Sequence, residues 1–255
     1  MKQLSCRIQN VRSVAENICI LTFLSDYISR TVRAGQFVNI KVAETTEPLL
    51  RRPYSVYRAH GEKIDLLFNI VGRGSAALAQ RRPDEWIDVL GPLGIPFSLG
   101  REDYSTAILI AGGMGVAPMP LATSELRQLG KDVVTLIGAR TGRQIVDSHL
   151  DNVGIATDDG SRGLHGTVVD LAREVLAAGG IRLPRIFACG PTAMLRAVAS
   201  LAIERGIPCE VSLEGPMACG FGICQGCPVE LVGGDKKYGL MCKDGPTFDV
   251  TRVRF

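Results

Sequence analysis

The sequence predicts an α+β multidomain chain: an antiparallel β-barrel over residues 1–100, a doubly wound α/β domain over residues 101–213 and a small C-terminal module over residues 214–255. Three observations predict it. Residues 1–100 read mostly as short β-branched runs separated by Gly, Asn or charged turns, the pattern of a small antiparallel barrel or sandwich. From about residue 101, buried apolar runs alternate with helical patterns, which indicates a parallel sheet with helices on both faces. From about residue 215 the composition turns to Gly, Cys and Pro, with too little apolar material for an independent core without a staple.

In the first part, NICILTF, GQFVNIKV, RPYSVYRA and KIDLLFNIV are the strands, and a short helix follows Gly74 through SAALAQR. In the second part, STAILIAGG is a strand ending in glycines, followed by a helical run to about Gly130. DVVTLIGAR, VGIATDD, PRIFACG and PCEVSLE are further strands, and TVVDLAREVLAA and TAMLRAVASLAIERG are helices.

Composition removes several classes of function. With 46% hydrophobic and 22% charged residues the chain is globular rather than disordered. A net charge of +3 without any Lys/Arg block gives no support to a nucleic-acid-binding surface. Residues 104–124 are uncharged, but Gly112, Gly113, Gly115, Pro118 and Pro120 break them into strand, turn and helix start, so no membrane span is expected. The opening MKQLSCRIQNVRSVAEN lacks the apolar core of an export signal, and the expected location is cytoplasmic. His60, His149 and His165 are scattered, which argues against a histidine-built centre.

The eight cysteines divide into two sets. Cys6, Cys19 and Cys209 suit buried positions within strands. Cys219, Cys224, Cys227 and Cys242 form Cys-x4-Cys-x2-Cys with a distant fourth cysteine, the plant-type spacing for a 2Fe–2S cluster. Gly220, Gly222 and Gly226 let the chain wrap an inorganic core and aim N–H groups at sulfur. A four-thiolate zinc staple is the competing reading, but zinc ribbons usually show two Cys-x2-Cys knuckles and only Cys224/Cys227 is one.

Arg52-Pro53-Tyr54-Ser55 is the second signal. Positions 52 and 54 share a strand face, so a guanidinium and a ring point the same way, and Pro53 marks an edge. Such a strand suits a flavin diphosphate, although an ordinary edge strand fits the tetrapeptide equally. Val71-Gly72-Arg73-Gly74-Ser75 before a helical run is a phosphate-binding turn or a simple turn capped by Ser75. Standing together ahead of a nucleotide fold and a cluster, the two motifs favour FAD.

Gly112, Gly113, Met114 and Gly115 follow the first strand of the α/β part, and Cys189-Gly190-Pro191 closes a later one. Dinucleotides bind at such strand ends, and close helix–strand packing is compatible with that role. The run is not G-x-G-x-x-G, so the Rossmann fingerprint is absent. Cys189 either lines a nicotinamide position, the favoured reading, or merely packs; no catalytic residue is assigned. Asp158-Asp159-Gly160-Ser161 reads as a turn.

The order RPYS, VGRGS, AGGMGVAP, CGP and a terminal four-cysteine motif resembles the ferredoxin-reductase-like flavoproteins. The tail SLEGPMACGFGICQGCPV with MCKDGPTF resembles the electron-transfer subunits of type B dihydroorotate dehydrogenases. That resemblance implies a FAD barrel, an NAD domain and a C-terminal 2Fe–2S module. It implies that Arg52 contacts the flavin diphosphate, Tyr54 packs on the isoalloxazine, Ser55 bonds near its N5, and Leu67, Phe68, Asn69, Gly74 and Ser75 line the rest. Many relatives carry an aliphatic residue at the position of Tyr54. The resemblance further implies a separate FMN-containing catalytic subunit, two of each chain in a heterotetramer, and the net reaction dihydroorotate plus NAD giving orotate plus NADH in de novo pyrimidine (UMP) biosynthesis. A sulfide dehydrogenase-like or ferredoxin:NADP oxidoreductase subunit of the same build is the alternative. Arg140 is placed where it could bind a 2′-phosphate, but a solvated arginine fits it as well, and NAD is the expected nucleotide.

Overall fold

A computed structural model describes residues 1–43 and 47–255. Strands β1 (Lys2–Ala15), β2 (Ile18–Leu24), β3 (Phe37–Lys41), β4 (Arg52–His60), β5 (Lys63–Asn69) and β6 (Trp86–Leu93) close into an antiparallel barrel of order β1-β2-β5-β4-β3-β6. Two short helices, α1 (Asp26–Thr31) and α2 (Arg73–Ala79), flank it. The runs expected to be strands become β2 to β5. The long β1 is not legible as one, because only Cys6 and Ile8 along it are buried. It closes the barrel by pairing its first half with β6 and its second half with β2.

The second part is a sheet of order β10-β9-β8-β7-β11-β12-β15, formed by β7 (Thr106–Gly112), β8 (Asp132–Ala139), β9 (Val153–Thr157), β10 (Leu164–His165), β11 (Pro184–Cys189), β12 (Cys209–Ser212) and β15 (Thr247–Asp249). All pairings are parallel except β12 with β15. Helices α3 (Met119–Gln128), α4 (Val168–Ala177) and α5 (Thr192–Arg205) connect the strands. Thr167 and Asp170 form a capping box at the start of α4, and Gly206, at φ +62°, ends α5 in the left-handed conformation. From β7 the order runs to β8 on one side and β11 on the other, so the carboxyl ends of β7 and β11 form the switch point where nucleotides bind in open α/β sheets.

The C-terminal segment carries the hairpin β13 (Pro228–Glu230) and β14 (Tyr238–Leu240) and then β15. It is not a separate unit. Ser212 pairs with Thr247, Val211 with Phe248 and Glu210 with Asp249, so the segment supplies the edge strand of the neighbouring domain's sheet. It also reaches the barrel. Phe37 of β3 and Leu93 of β6 form one buried apolar cluster with Cys227, Met241 and Cys242. The small core missing from residues 214–255 is thereby borrowed from both larger parts. A buried ion pair, Arg185 Nη2 to Glu210 Oε1 at 3.0 Å, adds to the joint, and Glu210 Oε2 accepts from the Ser98 N–H at 2.9 Å.

Candidate functional site

The first site is an opening in the barrel wall. Along its first half β4 pairs only with β3, with Arg52 opposite Ile40, Pro53 opposite Asn39, Tyr54 opposite Val38 and Ser55 opposite Phe37. Pairing of β4 with β5 begins only at Val56 and Leu66, while Leu67, Phe68 and Asn69 pair with β2. Arg52–Ser55 and Leu67–Asn69 therefore diverge and face a gap. This corrects the edge-strand expectation at Pro53: β4 belongs to a closed barrel and is open only towards β5.

The groups around that gap fit a flavin nucleotide. The Arg52 guanidinium is held by the carbonyl of Leu50 at 2.7 Å and meets no carboxylate among the described residues. Gly74 at the start of α2 lies against it, since a Cβ there would come 3.1 Å from Arg52 Nε. Tyr54 is half-buried, its ring edge-on to Phe68 at 5.6 Å, and burial pushes its hydroxyl up to about 12. Asn69 Oδ1 is buried without a hydrogen-bond partner among the described residues, the kind of orphan a bound ligand satisfies. Leu67 and Phe68 are each 2% exposed, so the barrel core claims their side chains. Ser75 is the third helical residue rather than the cap, which is Gly72; its Oγ accepts from the N–H groups of Val71 and Gly72.

The second site lies at the switch point. A Cβ on Gly115 would overlap the Cys189 carbonyl, and one on Gly112 would overlap Met194 Sδ. Gly115 is thus used for close packing of the two strand ends, while Gly112 lies against the flexible end of Met194 on α5. Gly113, exposed and at φ +53°, has open space around it. Cys189 is 1% exposed, and burial, reinforced by the Glu214 charge, pushes its thiol up. Its Sγ donates to Glu214 Oε1 at 3.9 Å; Glu214 keeps exposed surface, but desolvation by the packed chain around its carboxyl raises it. No role is legible for Glu214 in the sequence, because it reaches Cys189 only through the parallel pairing of β12 with β11, which sets Ser212 opposite Cys189. Asp159 is a turn former, its Oδ1 accepting from the Ser161 N–H and hydroxyl. Arg140 is exposed.

The third site is the cysteine loop. Cys227 and Cys242 are buried with their sulfurs 3.3 Å apart. Cys219 is half-buried and Cys224 exposed, and the Cys224 N–H points to Cys219 Sγ at 3.5 Å. The Gly226 N–H points to Cys224 Sγ at the same distance. Burial works against ionisation of Cys219, but backbone N–H groups of Cys224, Phe221 and Ile223 bring its thiol down to about 6. Burial and the neighbouring Cys227 push Cys242 up to about 12. Gly220 and Gly222 take the left-handed conformation, at φ +83° and +89°; at the last corner that conformation falls to Gln225 rather than Gly226. Among the described residues no three Cys, His, Asp or Glu side chains converge on one ion-sized point. The sulfurs sit as two pairs.

Comparison with known proteins agrees with this geometry. Residues 214–254 match the family model described as the iron–sulfur cluster binding domain of dihydroorotate dehydrogenase B. The electron transfer subunit of dihydroorotate dehydrogenase B (NAD(+)) from Bacillus caldolyticus is 36% identical over 249 residues, 95% of each chain. The subunit of the same name from Desulforamulus reducens is 35% identical over 260 residues, covering 99% of this chain and 98% of that one. A solved NADH-dependent reduced ferredoxin-NADP oxidoreductase superposes with a TM-score of 0.87 at 29% identity, over 98% of this chain and 89% of that one. A ferredoxin NADP+ reductase from Neisseria gonorrhoeae, at 18% identity and a TM-score of 0.69 over 81% of this chain and 92% of that one, shares the fold. With barrel, switch point and cysteine loop in one order and the likeness running the length of the chain, this protein belongs to the family of dihydroorotate dehydrogenase B electron transfer subunits.

Proposed function

We propose that this chain relays electrons from the FMN of a dihydroorotate-oxidising catalytic subunit, through a 2Fe–2S cluster and FAD, to NAD in pyrimidine biosynthesis. The observation that carries the reading is the place of Phe37. It stands opposite Ser55 in the open strand pair and packs in the same apolar cluster as Cys227 and Cys242, so one side chain joins the flavin gap to the cysteine loop.

In this reading Arg52 holds the flavin diphosphate, with Pro53, Tyr54, Ser55, Asn69, Gly74, Ser75 and the backbone of Leu67 and Phe68 around the rest. Cys219 with Cys224, and Cys227 with Cys242, hold one iron each. Gly113 and Met114 receive NAD(H), with Gly112, Gly115, Gly190 and Pro191 shaping the strand ends. When bound, the flavin couples two-electron exchange with NAD(H) to one-electron exchange with the cluster. The buried Cys189 thiol, raised by its burial, lies at the nicotinamide position beside Glu214.

Cys224 is exposed and flanked by Phe221 and Ile223, the latter 75% exposed. We assign this apolar rim to the catalytic subunit, in an assembly of two of each chain. All eight cysteines are free, as suits the cytoplasm, and no helix among the described residues is long and apolar enough to cross a membrane.

Anaerobic co-purification with mass identification of the partner tests the reading. The partner is expected to be a FMN-binding chain, and the isolated subunit to oxidise NADH with dyes but not dihydroorotate. Ile223→Asp should leave dye reduction intact and uncouple it from dihydroorotate. Absence of acid-labile sulfide, or dihydroorotate turnover without a partner, would overturn it. A partner of another class would favour the ferredoxin-linked alternative, which the TM-score of 0.87 supports at the level of structure.

A further inference from the structure

We infer that Asn39 is a positioning residue that locks the Cys219–Cys224 loop onto the flavin-binding strand, an inference that rests on the cofactor reading above. Asn39 lies on β3 and is 0% exposed. A buried amide is costly unless it is hydrogen-bonded. Its Nδ2 donates to the carbonyl of Cys219 at 3.0 Å, across 180 residues of sequence. On the strand itself Asn39 stands opposite Pro53, between the partners of Arg52 and Tyr54, and its carbonyl accepts from Arg51. One residue therefore touches the cysteine loop and the flavin strand.

The loop is shaped to accept that contact. Gly220 sits at φ +83°, and a Cβ there would come 2.5 Å from Asn39 Nδ2. Asn39 Oδ1 has no hydrogen-bond partner among the described residues and is shut off from solvent. A leucine of the same shape would spare the stranded Oδ1 but would leave the Cys219 carbonyl without this donor. The amide is explained by what it orients. Fixing the Cys219 carbonyl fixes the peptide plane that leads into Gly220 and onward to the N–H groups that reach Cys219 Sγ. Partners of this kind, one bond removed from a metal ligand, set ligand orientation.

The test uses the anaerobically purified holoprotein carrying Asn39→Leu, with Ile40→Val as a control that trims the same strand away from the loop. Asn39→Leu should keep its flavin and its NADH-driven flavin reduction. It should shift the paramagnetic signal and reduction potential of the reduced cluster, and speed cluster loss to a chelator by about 10- to 100-fold. Gly220→Ala, which presses on Asn39 from the loop side, should move the same readouts should Asn39→Leu fail to fold. Wild-type line shape, potential and release rate in both variants would overturn the inference. A wild-type protein without any rhombic signal would instead refute the cofactor reading.

Discussion

Gly115 lies so close to the backbone of Cys189 that a Cβ would overlap that residue's carbonyl oxygen and come 2.6 Å from the Gly190 nitrogen. The ends of β7 and β11 are thereby fitted to one another. Gly115→Ala should force them apart at a cost of about 1–3 kcal/mol, as overpacking does. Its KM for NADH should rise while flavin and iron contents stay at wild-type levels. Thermal unfolding with steady-state kinetics checks this, and an unchanged KM and Tm would contradict it.

Arg52 and Arg51 are neighbours with different employment. Arg51 Nη2 pairs with Asp88 at 2.9 Å inside the barrel wall, whereas Arg52 faces the gap. Losing a charge-assisted contact costs about 1.5–3 kcal/mol, so Arg52→Ala should weaken FAD binding roughly 10- to 100-fold. Arg51→Ala should lower stability with a smaller effect on FAD. Flavin retained through gel filtration distinguishes the two.

Cys224 is exposed, so Cys224→Ser removes a proposed cluster ligand without opening a cavity. The visible absorption of the cluster should vanish while FAD stays bound and NADH still reduces it. A variant with unchanged absorption would show that Cys224 is not a ligand.

Asp88 supplies a pH dependence. Partial burial pushes its carboxyl up, but hydrogen bonds from Arg51 and from Gln3, at 2.7 Å, outweigh that and hold it below the ordinary range. A depressed folded-state pKa stabilises the fold above the unfolded value of about 3.9, and the contribution is lost as pH falls through the folded value. In cluster-free protein the urea midpoint of wild type should exceed that of Asp88→Asn near neutral pH, and the gap should close towards acid. The single tryptophan, Trp86, begins the same strand and reports the transition.

The motifs were readable because each depends on local chemistry. Thiolate spacing, glycines ending an apolar run and an Arg-x-Tyr alternation survive without knowledge of what packs on them. The strand β1 was not readable, because its burial is set by barrel closure rather than by its own alternation. Ser75 illustrates a finer limit: the sequence reads it as the cap, but the cap is Gly72, and Ser75 at the third helical position accepts from the turn's N–H groups.

The linear chain by itself determined a barrel, an α/β sheet and a cysteine-rich tail in that order, and the residue types that suit flavin, nicotinamide and iron. Only the tertiary structure decided that Arg51 pairs with Asp88, that Gly115 serves packing, that Glu214 meets Cys189, and that Asn39 meets Cys219. Each of these last depends on contact between segments far apart in sequence, and such contacts exist only once barrel, sheet and tail share a core.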